Sequence, residues 1–181
     1  HQEFASIGSA VHADFIRRQF LALKRMGVNA IRAAHNPPSK IQMDLADELG
    51  LMVISEFADV WQLRKTEHDY ARYFDAWHER DIASWIRRDR NHPSIILWSL
   101  GNEIPDTHAD FEKGSAVLKT IRDLVRLHDP RGQALPTLGS NYMAWENTQK
   151  AVEQLPVVGY NYAEFLYQRH HEQHPDWVIY G

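Results

Sequence analysis

Two hydrophobic periods take turns along this chain. From Asp14 to Met26 the apolar residues Ile16, Phe20 and Leu23 recur at helical spacing after an aspartate able to cap, and Gly27 follows as a stop. Asn29 to Ala33 reads as a short buried strand. Ser39 with Gln42 three positions on has the form of a capping box, opening a helix that ends at Gly50. Leu51 to Phe57 (LMVISEF) is an apolar run of strand length, and Asp69 to Arg90 sets Phe74, Trp77, Ile82, Trp85 and Ile86 on one helical side. Ile95 to Leu100 (IILWSL) is again a strand. The alternation goes on with a helix across Asp110 to His128, a strand near Pro136 to Gly139 and a helical segment within Trp145 to Gln154. Val157 to Tyr160, a helical stretch from Ala163 to His174, and a strand from Trp177 to Tyr180 complete it.

Strands alternating with helices imply right-handed parallel units, in an open doubly wound sheet or a (β/α)8 barrel. No Gly-rich phosphate loop follows any of the strands, which counts against a nucleotide-binding open sheet. The expected fold is therefore α/β, a (β/α)8 TIM barrel. A whole barrel takes about 250 residues, and this chain has 181. It is expected to be incomplete, holding roughly strands two to seven.

Composition narrows the function classes. Lys and Arg number 20 against 24 Asp and Glu, a formal net charge of -4, so the basic excess typical of nucleic-acid binding is lacking. Without cysteine there is neither a disulfide framework nor thiolate chemistry, and the compartment is unreadable. No apolar run approaches membrane-spanning length, and His1 to Ala10 lacks the basic start and apolar stretch of a signal peptide. Neither nucleic acid nor a membrane is expected as a partner.

In a barrel the catalytic face lies at the carboxyl ends of the strands. Those positions are polar here: Arg32, then His35 and Asn36; Glu56, with Asp59 and Trp61 behind it; Asn102 and Glu103; Ser140, Asn141, Tyr142 and Trp145; Asn161 and Tyr162. Carboxylates, amides, an imidazole and aromatic rings on one rim suit a sugar, with rings against the pyranose face and polar groups on its hydroxyls. The HHEQH stretch has one residue too few between Glu172 and His174 for a zincin motif, and a solvated helix face is expected there. His92 is expected to be structural, and Trp77, Trp85 and Trp98 to fill the core or helix layer.

The stretch from Arg87 to Ile104, RRDRNHPSIILWSLGNEI, resembles the segment of glycoside hydrolase family 2 in which Arg-Asp-Arg-Asn-His-Pro-Ser precedes the fourth strand and an Asn-Glu pair ends it. GVNAIRAAHNPPS is similar to that family's second strand and its His-containing loop, and LGLMVISEFADVW to its third strand. VVGYNYAEF and HPDWVIYG look like its sixth strand and the approach to its nucleophile. The likeness runs from the loop HQEFASIGSAV to strand seven, so residues 1–181 are expected to be part of a single glycosidase barrel domain.

The resemblance implies a retaining exo-β-glycosidase acting on terminal β-linked sugars, with β-galactosidase as the first reading. A β-glucuronidase or β-mannosidase of the same family, or a non-catalytic carbohydrate-binding remnant, stays open. It also implies that Glu103 is the general acid/base, that Asn102 binds the sugar 2-hydroxyl, that Arg32 orients the nucleophile, and that His35 and Tyr162 belong to the substrate site. Asp59 and Trp61 would help to define the sugar subsite, and Trp61 and Trp145 are the expected sugar platforms. The nucleophilic Glu is expected just beyond Gly181. The loop EFADVW stands where metal-dependent β-galactosidases carry an acidic, His-containing version, so no metal and no cofactor is expected. Partners implied are a carbohydrate and β-sandwich domains of the parent chain; a homo-oligomer stays open.

Overall fold

A computed structural model describes residues 10–181 of the chain. Residues 1–9, which include most of the HQEFASIGSAV loop, lie outside the described residues. In chain order the elements are α1 (Ala13–Arg25), β1 (Ala30–Ala33), α2 (Lys40–Leu49), β2 (Met52–Glu56), α3 (Ala71–Asp89), β3 (Ile95–Asn102), α4 (Asp106–Ala109), α5 (Phe111–His128), β4 (Leu135–Ser140), α6 (Glu146–Val152), β5 (Val157–Tyr160), α7 (Tyr167–Gln173) and β6 (Val178–Tyr180), with one 3-10 turn at Glu164–Leu166. The six strands form one sheet in the order β1-β2-β3-β4-β5-β6. Every adjacent pair is parallel. With helices flanking the sheet, this is an incomplete (β/α)8 barrel, as the alternation of patterns leads one to expect.

Local chemistry sets several boundaries. Ser39 and Gln42 form the full capping box of α2, and Gly50 ends the helix at φ 67, a left-handed turn that suits glycine. At the start of α1 the cap is His12, whose Nδ1 accepts the Asp14 N–H, so Asp14 lies inside the first turn, where a negative charge meets the positive end of the helix dipole. Asp69 precedes α3 and receives the backbone N–H of Lys65, Thr66 and Ala71, folding the β2–α3 loop back on the helix start. Strand β3 runs on to Asn102, two residues past the apolar run, with a register shift between Ser99 and Asn102.

The core lies between the sheet and the helices. Trp85 and Trp98 pack edge to face at 5.1 Å, and their indole N–H groups donate to Ser55 Oγ and Asp129 Oδ2. Both are buried, in agreement with their expected place in the helix layer. Trp77 corrects that expectation: it is 42% exposed and lies beside the Arg80 guanidinium. At 3.6 residues per turn it falls to one side of the stripe made by Phe74, Ile82, Trp85 and Ile86. His92 is structural, its Nδ1 meeting Asp47 Oδ2 at 2.6 Å.

The His-rich segment also departs from its pattern. His170 is fully buried, not solvated, with Nδ1 2.7 Å from the Tyr160 hydroxyl, because α7 turns that face against β5. Burial, aided by the positive neighbours Arg169 and His174, lowers its pKa from the ordinary 6.5. The unfolded chain then takes up a proton below pH 6.5 that the folded chain resists. Stability is full above that pH and is lost as pH falls through the unfolded value toward the folded one. His128, also held low by burial, acts in the same direction. The unfolding free energy from urea titrations is expected to drop between about pH 7 and pH 5, and His170→Gln to make that drop shallower. An equal slope in the variant contradicts this.

Candidate active site

Alternate residues on β2 and β3 face opposite sides of the sheet. Ser55 and Trp98 point to the helices, and Glu56 and Ser99 meet on the inner side, Ser99 Oγ donating to Glu56 Oε2 at 2.7 Å. Glu56 is completely buried. Such a carboxylate must be matched by donors, and it has three: Arg32 Nε at 2.8 Å, His35 Nδ1 at 2.5 Å and Ser99 Oγ.

Arg32 comes from the end of β1 and spreads across the rim. Its Nη2 donates to Asn102 Oδ1 at 2.8 Å and its Nη1 to Asn161 Oδ1 at 3.2 Å. Gly139 on β4 leaves the room for this, since a Cβ there would lie 2.8 Å from Arg32 Nη2. Asn161, directly after β5, donates through Nδ2 to Asn102 Oδ1 at 2.7 Å and to Glu103 Oε1 at 3.0 Å. Asn102 Nδ2 donates to Asp59 Oδ1 at 2.8 Å. Four strands thus contribute to one hydrogen-bonded chain that ends on the Glu103 carboxyl.

Glu103 has φ 47, in the left-handed region, and Tyr162 has φ 57. For a side chain with a Cβ this conformation costs about 1 kcal/mol, held here by the surrounding bonds. A cavity of about 280 Å³ opens at this point, lined by Arg32, His35, Asn102, Glu103 and Tyr162 with Tyr160, Asn161 and Gly181. Among the described residues Glu103 Oε2 takes no protein donor, leaving it free for a ligand oxygen. No three metal-ligating side chains are grouped among the described residues.

The family model for "Glycosyl hydrolases family 2, TIM barrel domain" matches residues 1–172. The chain belongs to glycosyl hydrolase family 2. Over 110 residues it is 48% identical to a β-galactosidase of Bacteroides ovatus, a stretch that is 61% of this chain and 13% of that protein. Over 111 residues it is 45% identical to a putative β-glucuronidase of Formosa agariphila, 61% of this chain and 10% of that one. Among solved structures, a family 2 member from Bacteroides cellulosilyticus matches with TM-score 0.90 at 35% identity, covering 97% of this chain and 22% of that one. A β-glucuronidase of Ruminococcus gnavus, in complex with uronic deoxynojirimycin, matches with TM-score 0.73 at 26% identity, over 89% of this chain and 27% of that one.

Within this family 2 barrel the structure gathers Arg32, His35, Asn102, Glu103 and Tyr162 around one cavity. Tyr162 stands at its mouth with a largely exposed ring. Asp59 touches the cluster through Asn102 but lines a neighbouring cavity of about 470 Å³ instead. Trp145 is exposed and leans on His108, 5.2 Å between rings, and is not among the residues lining the Glu103 cavity. Trp61 requires a correction as a sugar platform: it is 0% exposed, its Nε1 donating 3.0 Å to the Leu100 carbonyl, so no ring face is open to a ligand. A loop position after a strand does not reveal whether the ring turns out to the rim or in under it.

Glu56 and Asn161 are legible as rim residues, and an ion pair of Arg32 with Glu56 is one reading of the sequence, yet only the structure shows Asn161 joining Arg32, Asn102 and Glu103. Lys65 had no signal at all, being one cation in a charged loop. Its Nζ lies 2.8 Å from Asp59 Oδ1 and 2.9 Å from the Asn102 carbonyl. Trp61→Phe is expected to cost about 1–3 kcal/mol by removing the N–H that donates to the buried Leu100 carbonyl, read by chemical denaturation. In the full-length protein it is expected to leave KM unchanged; a raised KM with unaltered stability contradicts the buried role.

Proposed function

We propose that this chain carries the acid/base side of the active site of a retaining exo-β-glycosidase, with Glu103 as the acid/base. The observation that supports this most is the cavity in which Glu103 has a free Oε2 and which Gly181, just past β6, also lines. Retaining hydrolysis needs a second carboxylate about 5 to 5.5 Å from the first. Glu56 is committed to Arg32, His35 and Ser99, and Asp59 to Lys65 and Asn102. By the resemblance to family 2, the nucleophilic Glu is expected in the polypeptide that follows Gly181 in the parent protein, and the place of Gly181 in the cavity lining is in keeping with that.

In the first step Glu103 gives its proton to the glycosidic oxygen as the nucleophile forms the glycosyl ester. In the second it takes a proton from water, which attacks the same carbon, so configuration is retained. Asn102 Nδ2 spends one hydrogen on Asp59 and keeps the other for the sugar 2-hydroxyl. Arg32 orients the nucleophile, and His35 and Tyr162 line the sugar pocket. No cofactor enters. The sugar read first is a β-galactoside, in keeping with the Bacteroides ovatus relative; the Formosa agariphila relative favours a β-glucuronide as the second reading. The small share of those relatives that is aligned, 13% and 10%, fits a parent that also carries β-sandwich domains.

In the full-length protein, Glu103→Ala is expected to lower kcat/KM for unactivated β-glycosides by about 10²–10⁴, with azide restoring turnover of activated aryl glycosides and giving a β-glycosyl azide. Ordinary turnover without azide dependence contradicts the assignment, and no turnover by the unaltered full-length protein leaves a non-catalytic carbohydrate-binding role. Residues 1–181 alone are expected to be inactive on aryl β-glycosides; measurable retaining hydrolysis would show that the nucleophile lies within them.

A further inference from the structure

Lys65 reaches the site from the β2–α3 loop, a segment that carries none of the residues bonded to Glu103. Its backbone is fixed by Asp69, whose Oδ2 accepts the N–H of Lys65 at 2.7 Å and of Thr66 at 2.8 Å. Its side chain is only 23% exposed, and Nζ makes two bonds. One, to Asp59 Oδ1, meets the same oxygen that Asn102 Nδ2 uses. The other goes to the backbone carbonyl of Asn102, the residue before Glu103. A lysine serving only as an ion-pair partner needs the first of these bonds and not the second.

The second bond falls on the peptide that aims the acid. The Asn102–Glu103 peptide is gripped at both ends: its carbonyl accepts from Lys65 Nζ at 2.9 Å, and its N–H donates to the Gly139 carbonyl at 2.7 Å. That same peptide sets Glu103 at φ 47. A left-handed residue with a Cβ relaxes when the preceding peptide is free to rotate. Loss of the lysine removes the hold on the carbonyl, while the Asn102 carboxamide stays bonded to Arg32, Asn161 and Asp59.

We propose that Lys65 is a positioning residue for the acid/base: by pinning the Asn102 carbonyl it holds the strained Glu103 backbone, while the Asn102 side chain keeps its bonds to Arg32 and Asn161. This rests on the acid/base reading of Glu103. Lys65 is not among the residues lining the Glu103 cavity, so its removal matters where proton delivery matters. Alkyl leaving groups need the proton; a dinitrophenolate does not.

The test compares kcat/KM of the full-length protein on methyl and 2,4-dinitrophenyl β-glycosides of the sugar it hydrolyses. The ratio of the two is independent of the folded fraction, and kcat/KM reports the step in which the leaving group departs. Lys65→Met is expected to lower the methyl value by about 10²-fold and the dinitrophenyl value by less than about threefold. Lys65→Arg, which keeps a cation and donors, is expected to recover part of the methyl activity, and Lys65→Gln gives the same comparison should the Met variant fail to fold. In a Glu103→Ala background Lys65→Met is expected to add no further loss on the methyl substrate. Equal losses on both substrates, or full additivity with Glu103→Ala, would overturn the proposal. A Glu103→Ala enzyme with ordinary methyl glycoside turnover overturns the acid/base reading and this proposal together. Loss of methyl turnover in Glu103→Ala with none in Lys65→Met overturns this proposal alone.

Discussion

The buried carboxylate of Glu56 is the constraint on which the site depends. A carboxylate with no exposure must be compensated, and removing one partner of such a pair typically costs about 3–5 kcal/mol. Its partners come from three places in the chain: Arg32 at the end of β1, His35 in the loop beyond, and Ser99 within β3. Satisfying Glu56 therefore fixes where the Arg32 guanidinium lies. The guanidinium is planar and rigid, so its remaining nitrogens have fixed directions, and Asn102 and Asn161 fill them.

From there the order passes to Glu103. Asn161 reaches from β5 to Glu103, Gly139 on β4 holds the Glu103 N–H, and Lys65 holds the carbonyl before it. Each bond is worth only about 0.5–1.5 kcal/mol net, yet together they keep a glutamate in a backbone conformation that it would not choose alone. Strain of this kind clusters at ligand-binding sites, and here it accompanies a Glu103 Oε2 that takes no donor among the described residues. Gly139 and the fully buried Trp61 are the quiet part of the same arrangement, the first by leaving room for Arg32 and the second by filling the space beneath the β3 end.

Much of the fold was legible because each signal was local. Ser39, Gln42 and Gly50 determine α2 by their own hydrogen bonds and backbone angles, and the apolar runs LMVISEF and IILWSL mark strands whose ends, at Glu56 and Asn102, face the rim. Arg32, Asn102 and Glu103 could be found for the same reason: a strand end in a parallel barrel has one destination. What stayed hidden depends on a partner distant in sequence. Nothing near Trp61 announces the Leu100 carbonyl, and nothing near Lys65 announces that of Asn102. His170 has the spacing of a solvated helix residue and is buried only because β5 presents Tyr160 to it. Hydrophobic period tells which side of an element a residue occupies, and not what that side will meet.

The most direct measurement is a crystal structure of the full-length protein trapped with a 2-deoxy-2-fluoro β-glycosyl fluoride of the sugar that it hydrolyses. The expected result is the sugar bonded to a glutamate after Gly181, with Glu103 Oε2 over the anomeric carbon on the opposite face and the Arg32, Asn102, Asn161 and Lys65 contacts intact. A sugar bonded to Glu103 itself, or seated outside the cavity that Glu103 lines, would contradict it.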